Sequence, residues 1–330
     1  MTEQQHRDPL CGTGALPSQR CEPGPIAVLP SAPNAFVEAV VAGGGEVRDI
    51  DASTRGVVWL SEKRADELRG LLRAHPQIGW VQLPWAGVDA FADLLSDYAD
   101  GSGPVFTSAK GAYSEPVAEH AVTLAQAVLR ELAPKARHAQ WAQQRTGQSL
   151  YGRRVVLVGA GGIAAEVLRL LAPYRVHVTV VRRTAAPMVG ADETVTADAL
   201  HEVLPRAEVL ILAAAATSAS RHLIGERELA LLPEGAGLVN IARGALVDTA
   251  ALVRALASGR LAGAGLDVTE PEPLPPDHAL WGEPRCLITS HSADTPEMTA
   301  PLLAQRVTEN VRGFLGDGRL VGLVDPAAGY

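Results

Sequence analysis

The chain has almost no cysteine, no long apolar run and no concentration of positive charge. Its three cysteines, Cys11, Cys21 and Cys286, have neither the even count nor the spacing of a disulfide framework or a metal cluster. No metal is therefore expected, and a reduced, cytoplasmic setting is the simplest reading. The longest strongly apolar stretch, Val209–Ala216, is far shorter than the roughly 20 residues of a membrane-spanning helix. The first residues, Thr2-Glu-Gln-Gln-His-Arg-Asp, are polar and lack the apolar segment of a secretory signal. No basic run exceeds two residues and the net charge is −8, which disfavours nucleic acid and anionic membranes as partners. Low-complexity tracts inside the chain are absent as well. What remains is an ordinary globular composition, 47% hydrophobic and 20% charged. At 330 residues it is long for a single core, so two domains are expected.

The most informative stretch is Val155-Val-Leu-Val158-Gly159-Ala-Gly161-Gly-Ile-Ala164. Four apolar residues in a row fit a strand buried on both faces of a parallel sheet. Gly159 and Gly161 then turn the chain into a segment of helical periodicity, making a G-x-G-x-x-A loop between strand and helix. Such glycines allow a tight turn and let backbone approach a pyrophosphate, which sits on amides at the helix start. The expected contacts are Gly159, Gly161, Gly162 and Ile163. A second apolar run, Val176–Val181, follows at the spacing of a βαβ unit and ends in Arg182-Arg183-Thr184. An acid there would bind a ribose 2′-hydroxyl, whereas guanidinium groups attract a 2′-phosphate. The residues therefore favour NADP(H) over NAD(H).

Elsewhere the chain alternates strand and helix patterns. Residues 1–25, rich in Pro, Gly, Ser and Gln, read as a disordered tail. Strands are expected at Ile26–Leu29, Val57–Leu60 and Ile78–Leu83, with helices near Asn34–Ala42 and Ser61–Ala74. A long helix starts at Ser114-Glu-Pro116 and runs through Val117, Ala121, Leu124, Val128 and Leu132. Further strands fall at Val209–Ala214, Gly237–Ile241, Gly263–Val268 and Cys286–Thr289, with helices at Glu226–Leu232 and Thr249–Ser258. Met298, Leu302, Leu303, Val307, Val311 and Phe314 mark a closing helix, after which Leu320–Val324 returns to the first unit. The expected architecture is α/β, with two Rossmann-like or flavodoxin-like parallel-sheet domains. Residues 26–113 and 297–330 form a substrate domain, into which a dinucleotide-binding domain, 114–296, is inserted.

Three groups fall at strand ends of the second domain: Arg243 in Asn240-Ile-Ala-Arg-Gly244, Glu272 in a proline-rich loop, and His291 in Thr289-Ser-His291. Hydride transfer to a 2-keto acid needs a cation for the carboxylate and ketone, which a guanidinium supplies with two parallel donors. It needs a proton donor of near-neutral pKa, which suits imidazole. A carboxylate beside the imidazole would fix its tautomer and raise its pKa. Singly, each residue also reads as a surface or loop side chain; it is their order after a dinucleotide loop that is informative.

These stretches, with Gly87-Val-Asp89, Tyr113-Ser-Glu-Pro-Val-Ala-Glu-His120 and Leu266-Asp-Val-Thr-Glu-Pro-Glu-Pro-Leu-Pro275, resemble the D-isomer-specific 2-hydroxyacid dehydrogenase family over roughly residues 26–324. The resemblance implies an enzyme that reduces small 2-keto acids, such as glyoxylate or hydroxypyruvate, to D-2-hydroxy acids. It implies Arg243, Glu272 and His291 as the catalytic set, and the Ala86, Gly87 and Val88 amides as the substrate carboxylate site. It also implies cofactor contacts at Ala214, Ala215, Ile241, Ala242, Arg243, Asp267 and His291, a substrate-facing Tyr113, and a homodimer built on the long helix. This chain departs from the family pattern at several points. Ala164 replaces a third glycine, Arg182 replaces the usual acid, and Ala213-Ala-Ala-Ala-Thr217 lacks a customary proline. Asp294 intervenes after His291, and Trp85 is bulky beside the substrate loop. His120 reads as a helix residue rather than a second acid. A dinucleotide-sensing, co-repressor-like binding protein is the alternative from another class, and oxidation of another small anion such as formate or phosphite the alternative within enzymes; Glu272 disfavours formate.

Overall fold

The computed structural model of the chain describes residues 15–17, 22–141, 145–217 and 219–328. It divides into two compact units, residues 1–113 with 295–330, and residues 114–294. The second crossing thus falls two residues before the expected position.

The first unit is built on a parallel sheet of β1 (Ile26–Leu29), β2 (Gly56–Trp59), β3 (Trp80–Gln82) and β4 (Val105–Thr107), in the order 1-2-3-4. Val47 adds a single parallel bridge to Ile26 at the outer edge. Counting Val47 as a vestigial strand gives the flavodoxin-like order 2-1-3-4-5. Buried apolar residues dominate β1 to β3, as expected for strands covered on both faces. The helix Asn34–Ala42 packs against the closing helix Pro296–Leu315, which supplies the fully buried Val307 and Val311. Beyond that helix Ser108 N–H donates to the Gly322 carbonyl at 2.8 Å and Val324 N–H to Phe106 at 3.0 Å, so the tail does return to the first unit.

The second unit carries seven parallel strands: β5 (Arg154–Val158), β6 (His177–Arg182), β7 (Glu193–Thr196), β8 (Val209–Leu212), β9 (Ala236–Asn240), β10 (Leu261–Leu266) and β11 (Cys286–Ile288). Their order, 11-10-9-8-5-6-7, is the doubly wound Rossmann arrangement with its reversal between β5 and β8. That is where an open α/β sheet makes a ligand crevice. The helix Ser114–Leu129 lies against β9 and β10. Room for it comes from missing side chains: a Cβ on Gly265 would stand 2.9 Å from Leu124 Cβ, and one on Gly237 3.0 Å from Val128.

Several local expectations change. The long helix stops at Leu129 instead of running to Leu132, because Glu131 takes a left-handed backbone (φ 54°) and a new short helix starts at Leu132. Lys135 Nζ donates to the carbonyl of Arg130 at 2.9 Å, and Gln148 N–H to that of Leu129 at 2.7 Å, satisfying that helix end. Strands β4 and β7 carry no sequence signal as clear as the others; β7 is a half-buried Glu-Thr-Val-Thr edge. The expected disordered tail lies mostly outside the described residues. Within it Ala15 and Leu320 exchange a pair of backbone hydrogen bonds at 3.0 and 2.9 Å, and Pro25 accepts from Arg55 N–H at 2.9 Å, so these parts are built onto the first unit. Cys11 and Cys21 also lie outside the described residues; Cys286 is a free, buried thiol, pushed up to about 12 by burial. No helix of the described residues is long and apolar enough to cross a membrane.

The glycine spacing makes a paired stability prediction. Gly265→Val should lower the stability of the second unit by about 1–3 kcal/mol through overpacking against Leu124. Gly70→Ala, in the helix Ala65–Ala74 where an added Cβ meets nothing, should raise stability by roughly 0.5–1 kcal/mol. Denaturant unfolding of both variants beside wild type checks the two signs.

Candidate active site

Because β5 to β11 are all parallel, their carboxyl ends share one rim. Backbone bonds continue the ladder past the strands and lace that rim together. Gly159 N–H donates to Val181 at 2.9 Å, Ala213 to Val158 at 2.8 Å, Ile241 to Leu212 at 3.3 Å, Asp267 to Asn240 at 3.0 Å, and Thr289 to Leu266 at 3.0 Å. Residues far apart in sequence, such as Val158 and Ala213, are neighbours there for that reason.

The glycine loop occupies the reversal point. Gly159 has φ 121°, a conformation L side chains rarely adopt, and a Cβ on it would lie 2.4 Å from the Ala213 carbonyl oxygen. Gly159 thus lets the β5 and β8 loops touch. Gly161 precedes the helix Gly162–Leu171, and a Cβ on it would meet nothing, which is the open approach a pyrophosphate needs over helix-start amides. Gly162 and Ile163 are half-buried in the first turn, and Ala164 is fully buried, so the third small residue serves packing of helix on sheet. Ala214 and Ala215 follow β8 beside this loop. Arg182 ends β6 and hydrogen-bonds the Ala186 carbonyl at 3.2 Å; Arg183 and Thr184 are exposed.

The loop after β9 is held by Asn240, which is buried. Its amide donates to the Arg243 carbonyl at 2.9 Å and its oxygen accepts from Ala242 N–H at 3.1 Å. Ile241 and Ala242 are buried and Arg243 half-buried, with one guanidinium nitrogen donating to the Ala242 carbonyl at 2.7 Å. A Cβ on Gly244 would collide with the Thr269 carbonyl, 1.9 Å away. The absent side chain therefore seats the Arg243 loop directly on the loop that carries Glu272.

Glu272 Oε1 lies 2.6 Å from His291 Nδ1, with both side chains about half exposed. A carboxylate accepts only, so Nδ1 carries the proton in this bond and Nε2 is the ring's other polar atom. Ser290 and His291 both have left-handed backbones, φ 51° and 54°. Non-glycine residues hold such conformations when their surroundings over-determine them. Asp267 provides this. Its backbone oxygen accepts from His291 N–H at 2.6 Å, Oδ1 from the Thr289 hydroxyl at 2.6 Å and Ser292 N–H at 2.9 Å, and Oδ2 from Ala293 N–H at 3.1 Å. Asp267, expected as a cofactor contact, is 2% exposed and spends both carboxylate oxygens on the chain. His120, set aside in the sequence as a helix residue, reaches this cluster, with Nε2 2.9 Å from Thr289 Oγ1 and 3.6 Å from Asp267 Oδ1. The alternating glycines of β10 were the one sequence signal of so close a helix.

Asp294, flagged as a departure, also belongs here. Burial pushes its carboxyl above the usual range; the His291 charge pulls it down, Asp267 pushes it up and Arg243 pulls it down again. Arg243, His291 and Asp267 thus share one charge neighbourhood.

The Ala86–Val88 loop follows β3 in the first unit. Trp85 accepts from Ala109 N–H at 3.0 Å and meets the Tyr113 ring edge-on, 6.0 Å between centroids. Ala86 and Gly87 are half-buried and Val88 is buried. Tyr113, expected to face substrate, is 4% exposed and donates its hydroxyl to the Pro84 carbonyl at 2.6 Å, bracing the loop. Among the described residues no group of three or more His, Cys, Asp and Glu stands together as a metal site.

A Rossmann sheet with an open glycine loop and a titratable pair on the same rim defines a nicotinamide-dinucleotide-binding α/β oxidoreductase. Comparison with known proteins narrows the class. Residues 122–293 match the model of the D-isomer specific 2-hydroxyacid dehydrogenase NAD binding domain. A glyoxylate reductase of Thermococcus gammatolerans is 32% identical over 282 residues, covering 82% of this chain and 81% of that protein. The D-isomer specific 2-hydroxyacid dehydrogenase of Xanthobacter autotrophicus, solved with NADPH and MES, superimposes with a TM-score of 0.78 at 26% identity, over 93% of this chain and 99% of that one. An NADPH-dependent glyoxylate/hydroxypyruvate reductase of Sinorhizobium meliloti, solved with NADP and malonate, gives a TM-score of 0.72 at 27% identity, over 93% and 98%. The chain belongs to the D-isomer specific 2-hydroxyacid dehydrogenase family, and is an NAD(P)-dependent dehydrogenase.

The Asp294 environment makes a pH prediction. A carboxyl raised on folding contributes stability below its unfolded pKa and loses it as pH rises through the folded value. Asp294→Asn should therefore gain stability relative to wild type near neutral pH, with the gain shrinking towards acid. Melting midpoints of both proteins across the acid-to-neutral range check the sign.

Proposed function

We propose that this dehydrogenase reduces small 2-keto acids of the glyoxylate and hydroxypyruvate class to D-2-hydroxy acids, preferring NADPH, as a cytoplasmic homodimer. The observation that carries this reading is the His291–Glu272 hydrogen bond on the sheet rim that also bears Arg243 and the glycine loop. Gly159, Gly161, Gly162 and Ile163 would hold the pyrophosphate, with Ala214 and Ala215 beside the adenosine and Ile241 and Ala242 beside the nicotinamide. The bound nicotinamide supplies the hydride. Arg243 then pairs with the substrate carboxylate and polarises the ketone. In the first unit the Ala86, Gly87 and Val88 amides are, by the family resemblance, a carboxylate site. Among the described residues those three amides donate no hydrogen bond within the protein, so they can accept an anion at no cost in lost bonds. As hydride reaches the carbonyl carbon, His291 passes a proton to the oxygen and Glu272 steadies the imidazole through Nδ1–H. Asp267 acts here as the clamp of the His291 loop. The cofactor preference rests on Arg182 and Arg183 standing where an acid would select NAD(H). Dimer formation is supported by the exposed Leu132 and Trp141 on the segment that follows the long helix.

Three experiments test the reading. Glyoxylate, hydroxypyruvate, pyruvate and branched 2-keto acids assayed with NADPH and NADH should give the highest kcat/KM for the first two with NADPH; activity confined to another substrate class would remove the substrate assignment. His291→Ala should cut turnover roughly 10²–10⁴-fold with NADPH binding kept, and unchanged turnover would take the proton-donor role from it. Arg182→Ala with Arg183→Ala should weaken NADPH binding roughly ten-fold or more while NADH binding holds, since charge-assisted bonds to a phosphate contribute about 1.5–3 kcal/mol each.

A further inference from the structure

We propose that His120 is a positioning residue for His291, acting through Thr289 and Asp267. The inference rests on the reading of His291 as proton donor and adds a residue outside the Arg243, Glu272 and His291 set.

The chain of bonds has one consistent direction. A threonine hydroxyl has a single hydrogen. At Thr289 that hydrogen goes to Asp267 Oδ1, 2.6 Å away, because a carboxylate can only accept. Thr289 Oγ1 must then accept from His120 Nε2–H, 2.9 Å away. This donor is present in both the neutral and the charged imidazole once Nε2 is the protonated nitrogen. His120 Nε2 also stands 3.6 Å from Asp267 Oδ1, so a charged ring would add direct attraction. Asp267 in turn fixes the amides of His291, Ser292 and Ala293. Around the left-handed Ser290–His291 backbone, His291 N–H goes to the Asp267 main-chain carbonyl, the next two amides go to its carboxylate, and the Ser292 hydroxyl goes to the Thr289 carbonyl.

The helix is placed for this purpose. His120 lies one turn before Leu124 on the same stripe of the helix Ser114–Leu129. Leu124 fits against Gly265 of β10 and Val128 against Gly237 and Gly263. Larger residues on those strands would lift the helix away and take the imidazole out of reach of Thr289. A histidine on an otherwise apolar helix face, one-fifth exposed, thus reaches a side-chain partner 169 residues away.

Enzyme carrying His120→Ala, His120→Gln, Thr289→Val, the His120→Ala/Thr289→Val pair or His291→Ala is compared with wild type in glyoxylate reduction with NADPH. His120→Ala should lower kcat about 10–100-fold, because a misplaced acid costs turnover more than binding. KM for glyoxylate and NADPH affinity should stay within about two-fold. Glutamine places an amide donor near the Nε2 position, so His120→Gln should recover most of the loss. The double variant should be no slower than Thr289→Val, because both changes cut one path. The proposal is overturned if His120→Ala keeps wild-type kcat, if glutamine restores nothing, if NADPH affinity falls in step with kcat, or if the two changes add. The His291→Ala arm separates the two readings. Loss of turnover there with none in His120→Ala sinks only this inference, whereas full turnover in His291→Ala sinks the proton-donor assignment itself.

Discussion

The rim of the second unit depends on one buried carboxylate. Asp267 sits at the end of β10 with its side chain almost wholly removed from water, and such a group is tolerable only when its oxygens are hydrogen-bonded. Here they take two amides and a hydroxyl, all from the loop after β11. The same bonds that satisfy the carboxylate hold Ser290 and His291 in a backbone few side chains adopt. The requirement to satisfy a buried charge thus becomes the device that aims an imidazole. Bonds to charged groups are stronger than neutral ones, about 1.5–3 kcal/mol each, which suits a loop that must not drift.

Missing side chains do the complementary work. Gly159 lets the first loop touch the β8 loop, Gly244 lets the Arg243 loop rest on the Glu272 loop, and Gly237, Gly263 and Gly265 let a helix settle on the sheet. Each contact is between backbones or between backbone and a branched side chain, where a single Cβ would force separation. Gly161 differs from these, since a Cβ on it would meet nothing. The others set the spacing of the loops on which the charged groups are mounted. In the first unit an aromatic ring plays the corresponding part: Tyr113 donates to the Pro84 carbonyl and so braces the start of the Ala86–Val88 loop.

Much of this was legible in the residues. Apolar runs of four to six residues marked most of the central strands, because parallel strands covered on both faces cannot alternate polar and apolar. The strand-to-helix glycine loop was legible from its spacing, and Glu272 and His291, singled out by their chemistry, are hydrogen-bonded to one another. Edge strand β7 escaped, since a half-covered strand of Glu and Thr carries little hydrophobic pattern. The helix end at Leu129 escaped because Glu131 has no sequence mark of a left-handed residue. The bonds of Tyr113 to Pro84 and of Asp267 to the loop after β11 were not legible: a side chain's type says what bonds it can make and not which neighbour will take them.

By itself, then, the sequence determined the chemistry on offer and the succession of strands, since these follow from residue type and local periodicity. Only the tertiary structure decided that Asp267 serves the chain, that Tyr113 braces a loop, and that His120 meets Thr289. Those outcomes depend on distances between segments as many as 169 residues apart. Such distances are set by how closely a helix can approach a sheet, which is a property of packing and of no single stretch of chain.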